Sequence, residues 1–122
     1  MNAQKRRIPE YLDRMIESLR LSRRYVEGFS KENFLADKKT QQAVILNIMV
    51  IGEAAIQILD EYPEFAARYP DVPWKQMRGM RNRMAHGYFD LNLDVVWDTV
   101  QQALPKLERQ ILAIRQEPEK TE

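Results

Sequence analysis

Ala43-Val44-Ile45-Leu46-Asn47-Ile48-Met49-Val50-Ile51-Gly52-Glu53-Ala54-Ala55-Ile56-Gln57-Ile58-Leu59, residues 43–59, is the most apolar stretch of this 122-residue chain, and its periodicity decides the fold class. Val44, Ile45, Ile48, Met49, Ile56 and Leu59 recur at helical spacing, while Val50, Ile51 and Ala55 widen the apolar arc beyond a single stripe. Such a helix needs neighbours on more than one side, so it is expected at the centre. Asn47, Glu53 and Gln57 interrupt it, and on that ground no segment reads as a membrane-crossing helix.

Working outward, Ile8, Leu12, Met15, Ile16 and Leu19 step by three and four, predicting a helix from about Pro9 to Val26 with Gly28 as its stop. Ser30-Lys31-Glu32-Asn33 reads as a break. Pro63, Pro70 and Pro73 allow only a short helix over 64–68 before a new one begins at Pro73, a favourable first helical residue. This helix should run to about Ala85 with Trp74, Met77, Met80 and Met84 inward, ending where Gly87 adopts the left-handed conformation. A last helix, capped by Asn92 or Asp94, carries Val96, Val100, Ala103, Leu104, Leu107, Ile111 and Ile114, and Pro105 should kink it. The tail from about residue 116 is polar. No strand-like alternation, repeat or low-complexity tract is present, so the expected fold is one all-α domain over 1–122, an antiparallel four-helix bundle with a kinked C-terminal helix.

Nineteen Lys and Arg against eighteen Asp and Glu give a net charge of +1, which lacks the basic excess of a nonspecific nucleic-acid coat. The positive charge is instead local: between Asp71 and Asp90 stand Lys75, Arg78, Arg81 and Arg83 without a carboxylate. The absence of cysteine removes disulfides, thiolate catalysis and cysteine-based zinc sites, and a lone histidine argues against a histidine-built metal centre; no cofactor is expected. The basic Met1–Arg7 is followed by Pro9, Glu10, Asp13 and Arg14, not by the apolar core of a secretory signal, so a soluble cytoplasmic protein is expected.

That lone histidine lies in Arg81-Asn82-Arg83-Met84-Ala85-His86-Gly87-Tyr88, at the predicted helix end. Histidine exchanges protons near neutral pH, and arginine is a permanent forked donor for phosphate oxygens, so the segment points to phosphodiester chemistry. RNA cleavage without a metal needs a base for the 2′-hydroxyl, an acid for the leaving oxygen and cations for the phosphorane. One histidine and one arginine supply this only in part; a two-fold dimer would supply two of each. Arg81 and His86, five residues apart, differ by about 140° around a regular helix, so they converge only at a helix end or across such an interface.

These residues resemble a known family. Arg81-Asn82, three residues, then His86 matches the RNxxxH signature of HEPN domains, and Gly87-Tyr88 completes the extended RxxxxHxY form of HepT, the toxin paired with a minimal nucleotidyltransferase. Ile51-Gly52-Glu53-Ala54-Ala55, Pro73-Trp74 and Met80 extend the resemblance over roughly residues 9–114. It implies a prokaryotic, cytoplasmic homodimer acting as a metal-independent endoribonuclease. Arg81 would hold the scissile phosphate, His86 would serve as acid and base, and Asn82 would orient or bind nearby. Tyr88 would accept AMP from ATP through the partner nucleotidyltransferase, which neutralises the toxin.

Each residue also has a plainer reading. Arg78 and Arg83 contact RNA or are solvated surface arginines, and Asn82 is a site residue or a local backbone partner. Glu53 pairs with an arginine of the third helix or lies exposed, because an unpaired buried carboxylate is costly. Gly79 implies close packing or close approach of a ligand. Tyr88 and Phe89 otherwise close the bundle end. Two rival functions stand beside the ribonuclease: a non-catalytic RNA- or nucleotide-binding module, and an interaction protein serving as AMP acceptor.

Overall fold

The computed structural model describes residues 2–117, and among these it is helical with no strand. Seven α-helices follow in order: α1 (Asn2–Tyr25), α2 (Lys31–Ala36), α3 (Lys38–Glu61), α4 (Pro63–Arg68), α5 (Trp74–His86), α6 (Leu93–Asp98) and α7 (Leu104–Gln116). A 3-10 turn, Tyr88–Asp90, joins α5 to α6, and a π turn, Thr99–Ala103, fuses α6 to α7.

The apolar stretch forms the centre, as its wide arc requires. Helix α3 packs against α1 on one side and α5 on the other, and α1 also packs on α7. Val44, Ile45, Ile48, Ile51, Ala55 and Ile58 of α3 are buried with Leu12, Met15, Ile16 and Leu19 of α1. Its polar residues are satisfied locally: buried Asn47 donates to the Ala43 carbonyl at 2.9 Å, and Gln41 donates to the carbonyls of Phe34 and Leu35. At 24 residues, α3 is long and apolar enough by length and composition to cross a membrane, contrary to the reading from its interrupting polar residues. In this fold α1 and α5 cover part of its apolar surface, while Leu46 and Val50 stay exposed.

Three local expectations are corrected. Helix α1 starts before Pro9, which lies inside it; proline's fixed φ is helical, and its missing N–H removes one bond only. Ser30-Lys31-Glu32-Asn33 is a helix start, not a break: the Ser30 hydroxyl accepts from the Asn33 N–H at 3.0 Å, and the Asn33 side chain accepts from the Ser30 N–H at 3.2 Å. This reciprocal cap sets Phe34 into the core, fully buried and stacked obliquely on Trp97 of α6 at 5.5 Å. Gly87 does not become left-handed; it stays at φ −135° and its N–H bonds the Arg83 carbonyl at 2.8 Å. A β-carbon there would stand 3.2 Å from that carbonyl, so crowding, not handedness, is what glycine relieves. Gly28, by contrast, ends α1 at φ +80° as expected.

At Pro105, where a kink is expected, the helix carries a π turn immediately before the proline. The Leu104 N–H reaches back five residues to the Thr99 carbonyl, widening the helix where proline cannot donate. Helix α6 begins under an Asn92 cap, whose side chain accepts from the N–H groups of Asp94 and Val95.

Candidate functional site at the end of helix α5

Helix α5 crosses α3 at Gly52. A β-carbon on Gly52 would stand 2.8 Å from the Met77 carbonyl oxygen and inside contact distance of the Arg81 β-carbon, so only glycine permits this approach. Arg81 is thereby delivered beside the next residue of α3. Its Nη2 lies 3.3 Å from Glu53 Oε1, and its Nη1 donates to Asn82 Oδ1 at 3.0 Å. Gln57, one turn further along α3, donates to the other Glu53 oxygen at 3.3 Å. The expected pairing of Glu53 with an arginine of this helix is present, but both partners retain solvent access, with side-chain exposures of 49% for Glu53 and 31% for Arg81. The pair orients the guanidinium more than it stabilises the fold, since exposed ion pairs contribute roughly 0–1 kcal/mol.

Because α5 stays helical through His86, its polar residues divide between two faces. Arg78, Arg81 and Asn82 follow at spacings of three and four on one side. Gly79, Arg83 and His86 do the same on the other. His86 is exposed at the last helical position, and among the described residues its imidazole has no hydrogen-bond or ionic partner. Arg78 likewise makes no ion pair among the described residues, and Lys75 is exposed. Gly79 is not a packing contact: the one atom near its missing β-carbon is Nη1 of Arg83, at 3.6 Å. Met84 and Trp74 are buried as expected, whereas Met77 and Met80 are half-buried.

Beyond Gly87 the chain turns through Tyr88, Phe89 and Asp90. Tyr88 is 41% exposed and its ring meets that of Phe89 edge-on at 5.9 Å; Phe89 is 97% exposed, so this pair does not close the end of the fold. Between this turn and α6 lies a cleft of ≈ 270 Å³, lined among others by Met80, Arg83, Asp90, Leu91, Val95 and Val96. Nothing in the local sequence pattern marks Asp90 or this cleft. Gly52 as the crossing point has one sequence signal, a Gly-Glu pair inside an apolar helix. No group of three or more acidic, histidine or cysteine side chains is placed to hold a metal among the described residues.

The arrangement therefore combines a clamped arginine, a free imidazole and an exposed phenol around one helix end. The sequence pattern of the ribonuclease HepT-like family matches residues 15–114, a span that contains all three. This chain belongs to the ribonuclease HepT-like family. The protein of Thermococcus cleftensis named "Probable ribonuclease HepT" is 34% identical over 111 residues, covering 91% of this chain and 98% of its own. "Putative RNase TTE0752" of Caldanaerobacter subterraneus is 32% identical over 106 residues, 87% of this chain and 92% of its own. In "Gamma-glutamylcyclotransferase and putative RNase MJ0434" of Methanocaldococcus jannaschii, the 36% identical segment covers 90% of this chain but 48% of that longer protein. No solved structure matches. As a member of the HepT-like family the chain is a ribonuclease.

Proposed function

We propose that this HepT-like chain is an endoribonuclease toxin that cleaves RNA without a metal, at a site built around Arg81 and His86. The observation that carries the reading is the contrast at the end of α5: Arg81 is held by Glu53 and Asn82, while the nearby imidazole is exposed and uncommitted. In the proposed reaction the neutral imidazole removes the 2′-hydroxyl proton, and the 2′-oxygen attacks the adjacent phosphorus. The bond to the 5′-oxygen then breaks, and an imidazolium supplies the proton that the leaving oxygen needs. Arg81 stabilises the added charge on the phosphorane, with Asn82 fixing the guanidinium and Arg78 and Arg83 holding flanking phosphates.

The regular geometry of α5 supports a site shared between two protomers. Arg81 and His86 lie about 140° apart around the helix and roughly 7.5 Å along it, and Arg81 turns toward α3. A homodimer of four-helix bundles, with the α5 ends of both protomers at the two-fold axis, lets the arginine of one protomer face the imidazole of the other. In the same proposal Tyr88 is the control point. Its phenol oxygen attacks the α-phosphorus of ATP on a cognate minimal nucleotidyltransferase antitoxin, pyrophosphate leaves, and the phenol proton passes to solvent. The resulting phosphodiester puts an anion and an adenosine at the end of α5 and blocks RNA there. Toxin and antitoxin then act together in prokaryotic cytoplasm.

The test is RNA cleavage by the purified protein in excess chelator, compared with His86→Ala and Arg81→Ala, both verified as folded by circular dichroism. The expected result is cleavage by the wild type, a loss of at least about a hundredfold in each variant, and protection of the wild type after treatment with the nucleotidyltransferase and ATP. Equal cleavage by folded His86→Ala would end the assignment. Protection that persists in Tyr88→Phe would remove the tyrosine from the control step.

A further inference from the structure

We infer that the cleft between the end of α5 and the start of α6 binds one nucleobase of the RNA, with the Asp90 carboxylate reading the amino edge of guanine. The inference rests on the ribonuclease reading and adds to it a base-recognition subsite.

Four observations converge on this cleft. Its volume, ≈ 270 Å³, lies just below the range of pockets that enclose drug-sized molecules and has room for one nucleobase. Its walls include Met80, Leu91, Val95 and Val96, apolar surface on which a planar base is shielded from water. Val96 is buried and supports the floor, while Val95 is 46% exposed, an apolar side chain left partly uncovered at a cleft. Two charged side chains also line the cleft, Arg83 and Asp90, and neither forms an ion pair or a side-chain hydrogen bond among the described residues.

The polar chemistry narrows the ligand. An ionised carboxylate only accepts hydrogen bonds, through two oxygens. Guanine presents two adjacent donors, N1–H and the N2 amino group, which match both oxygens. Adenine and cytosine offer a single amino group, and uracil a single ring N–H. Asn92, although it lines the cleft, is committed: its side-chain oxygen already accepts from Asp94 and Val95. Arg83 supplies either a flat surface for the base or a cation for its phosphate, both common uses of arginine on single-stranded RNA. Helical phase then ties the cleft to the chemistry, because Arg83 and His86 stand three residues apart on the same face of α5. A base seated beside Arg83 places its own or the neighbouring phosphate within the territory of His86.

The test uses two readouts on the full chain. In the first, a randomised RNA is cleaved and the ends are sequenced for wild type, Asp90→Asn and Val95→Trp, the last filling the cleft from an exposed position. The expected wild-type profile favours guanine at one position next to the cut by about tenfold, the scale of a good bidentate base contact. Asp90→Asn and Val95→Trp both flatten that position. A guanine preference unchanged in both variants, or no base preference in the wild type, overturns the inference while leaving the ribonuclease reading intact. In the second readout, guanosine monophosphate is titrated and followed by NMR of the Met80, Val95 and Val96 methyl groups. Saturable shifts that vanish in Asp90→Asn are expected, even if no RNA is cleaved, which would sink the ribonuclease reading alone. An absence of shifts in the wild type counts against the cleft whatever the cleavage assay gives.

Discussion

Gly52 and Gly79 both interrupt helices that a sequence-based argument would fill with better helix formers, yet their surroundings give opposite expectations for the same substitution. At Gly52 a methyl group meets the Met77 carbonyl and the Arg81 side chain, so Gly52→Ala forces α5 away from α3. Overpacking of this kind costs roughly 1–3 kcal/mol. At Gly79 only the flexible tip of Arg83 is near, so Gly79→Ala gains helix propensity and stabilises by about 0.5–1 kcal/mol. Urea unfolding of the two variants checks both signs, and a stabilised Gly52→Ala would mean the helices do not cross there. The sequence offered Glu53 two readings, pairing with an arginine of the third helix or exposure, and both hold: it meets Arg81 and keeps 49% of its side chain in solvent, so burial cost did not decide the pairing. Which of three arginines it meets was not legible. That choice depends on the height at which α5 crosses α3, and the glycine notch sets this height.

At the scale of elements, short-range polar chemistry places the helix ends, and hydrophobic periodicity fills what lies between. The Ser30–Asn33 cap turns an apparent break into α2, and through it Phe34 reaches the core and Trp97. Ser30→Ala is expected to lower stability by about 1 kcal/mol, the usual cost of an N-cap, seen as a lower urea midpoint with unchanged slope. An unchanged midpoint would show that Phe34 alone holds α2. The cap was hard to read because asparagine, not the commoner Glu or Gln, completes the reciprocal bond. At Pro105 the sequence shows that a donor is missing, whereas the form in which the backbone absorbs the loss, a π turn over Thr99–Ala103, is seen only in the structure. The same applies to Gly87, where a negative φ and the 3-10 turn Tyr88–Asp90 project Tyr88 and Phe89 outward from the helix end.

For the whole molecule, side-chain links between distant segments fasten the helices after the core has formed. Glu108 of α7 receives both Arg20 and Arg23 of α1, Arg115 pairs with Asp13, and Tyr69, following α4, donates to Glu117 beyond α7 at 2.7 Å. The hydrogen bond to Glu117, then burial, then the negative charge of Glu117 raise the Tyr69 pKa above its ordinary value. A raised folded-state pKa means that this contribution is whole below about pH 10, where the phenol is protonated in both states. It is lost as pH rises through the folded-state value. Thermal unfolding from about pH 8 upward should therefore show an alkaline decline that is shallower in Tyr69→Phe; identical slopes would deny the linkage. The proposed dimer has its own test, in which Arg81→Ala and His86→Ala proteins are mixed after each is shown to be inactive. If the site takes one residue from each protomer, a mixed dimer keeps one intact site, and random exchange restores about a quarter of wild-type cleavage. No recovery despite demonstrated exchange would rule out a site completed by one arginine and one histidine from opposite protomers. By itself the sequence determined the helical class, the central position of α3 and a helix start capped at Asn92 or Asp94, because these follow from periodicity and local bonding within a few residues. Only the tertiary structure decided that Gly52 is the crossing point, that Arg81 is the arginine Glu53 holds, and that Arg83 and Asp90 border one cleft. Those facts depend on the relative height and rotation of helices distant in sequence, which packing fixes and no local pattern encodes.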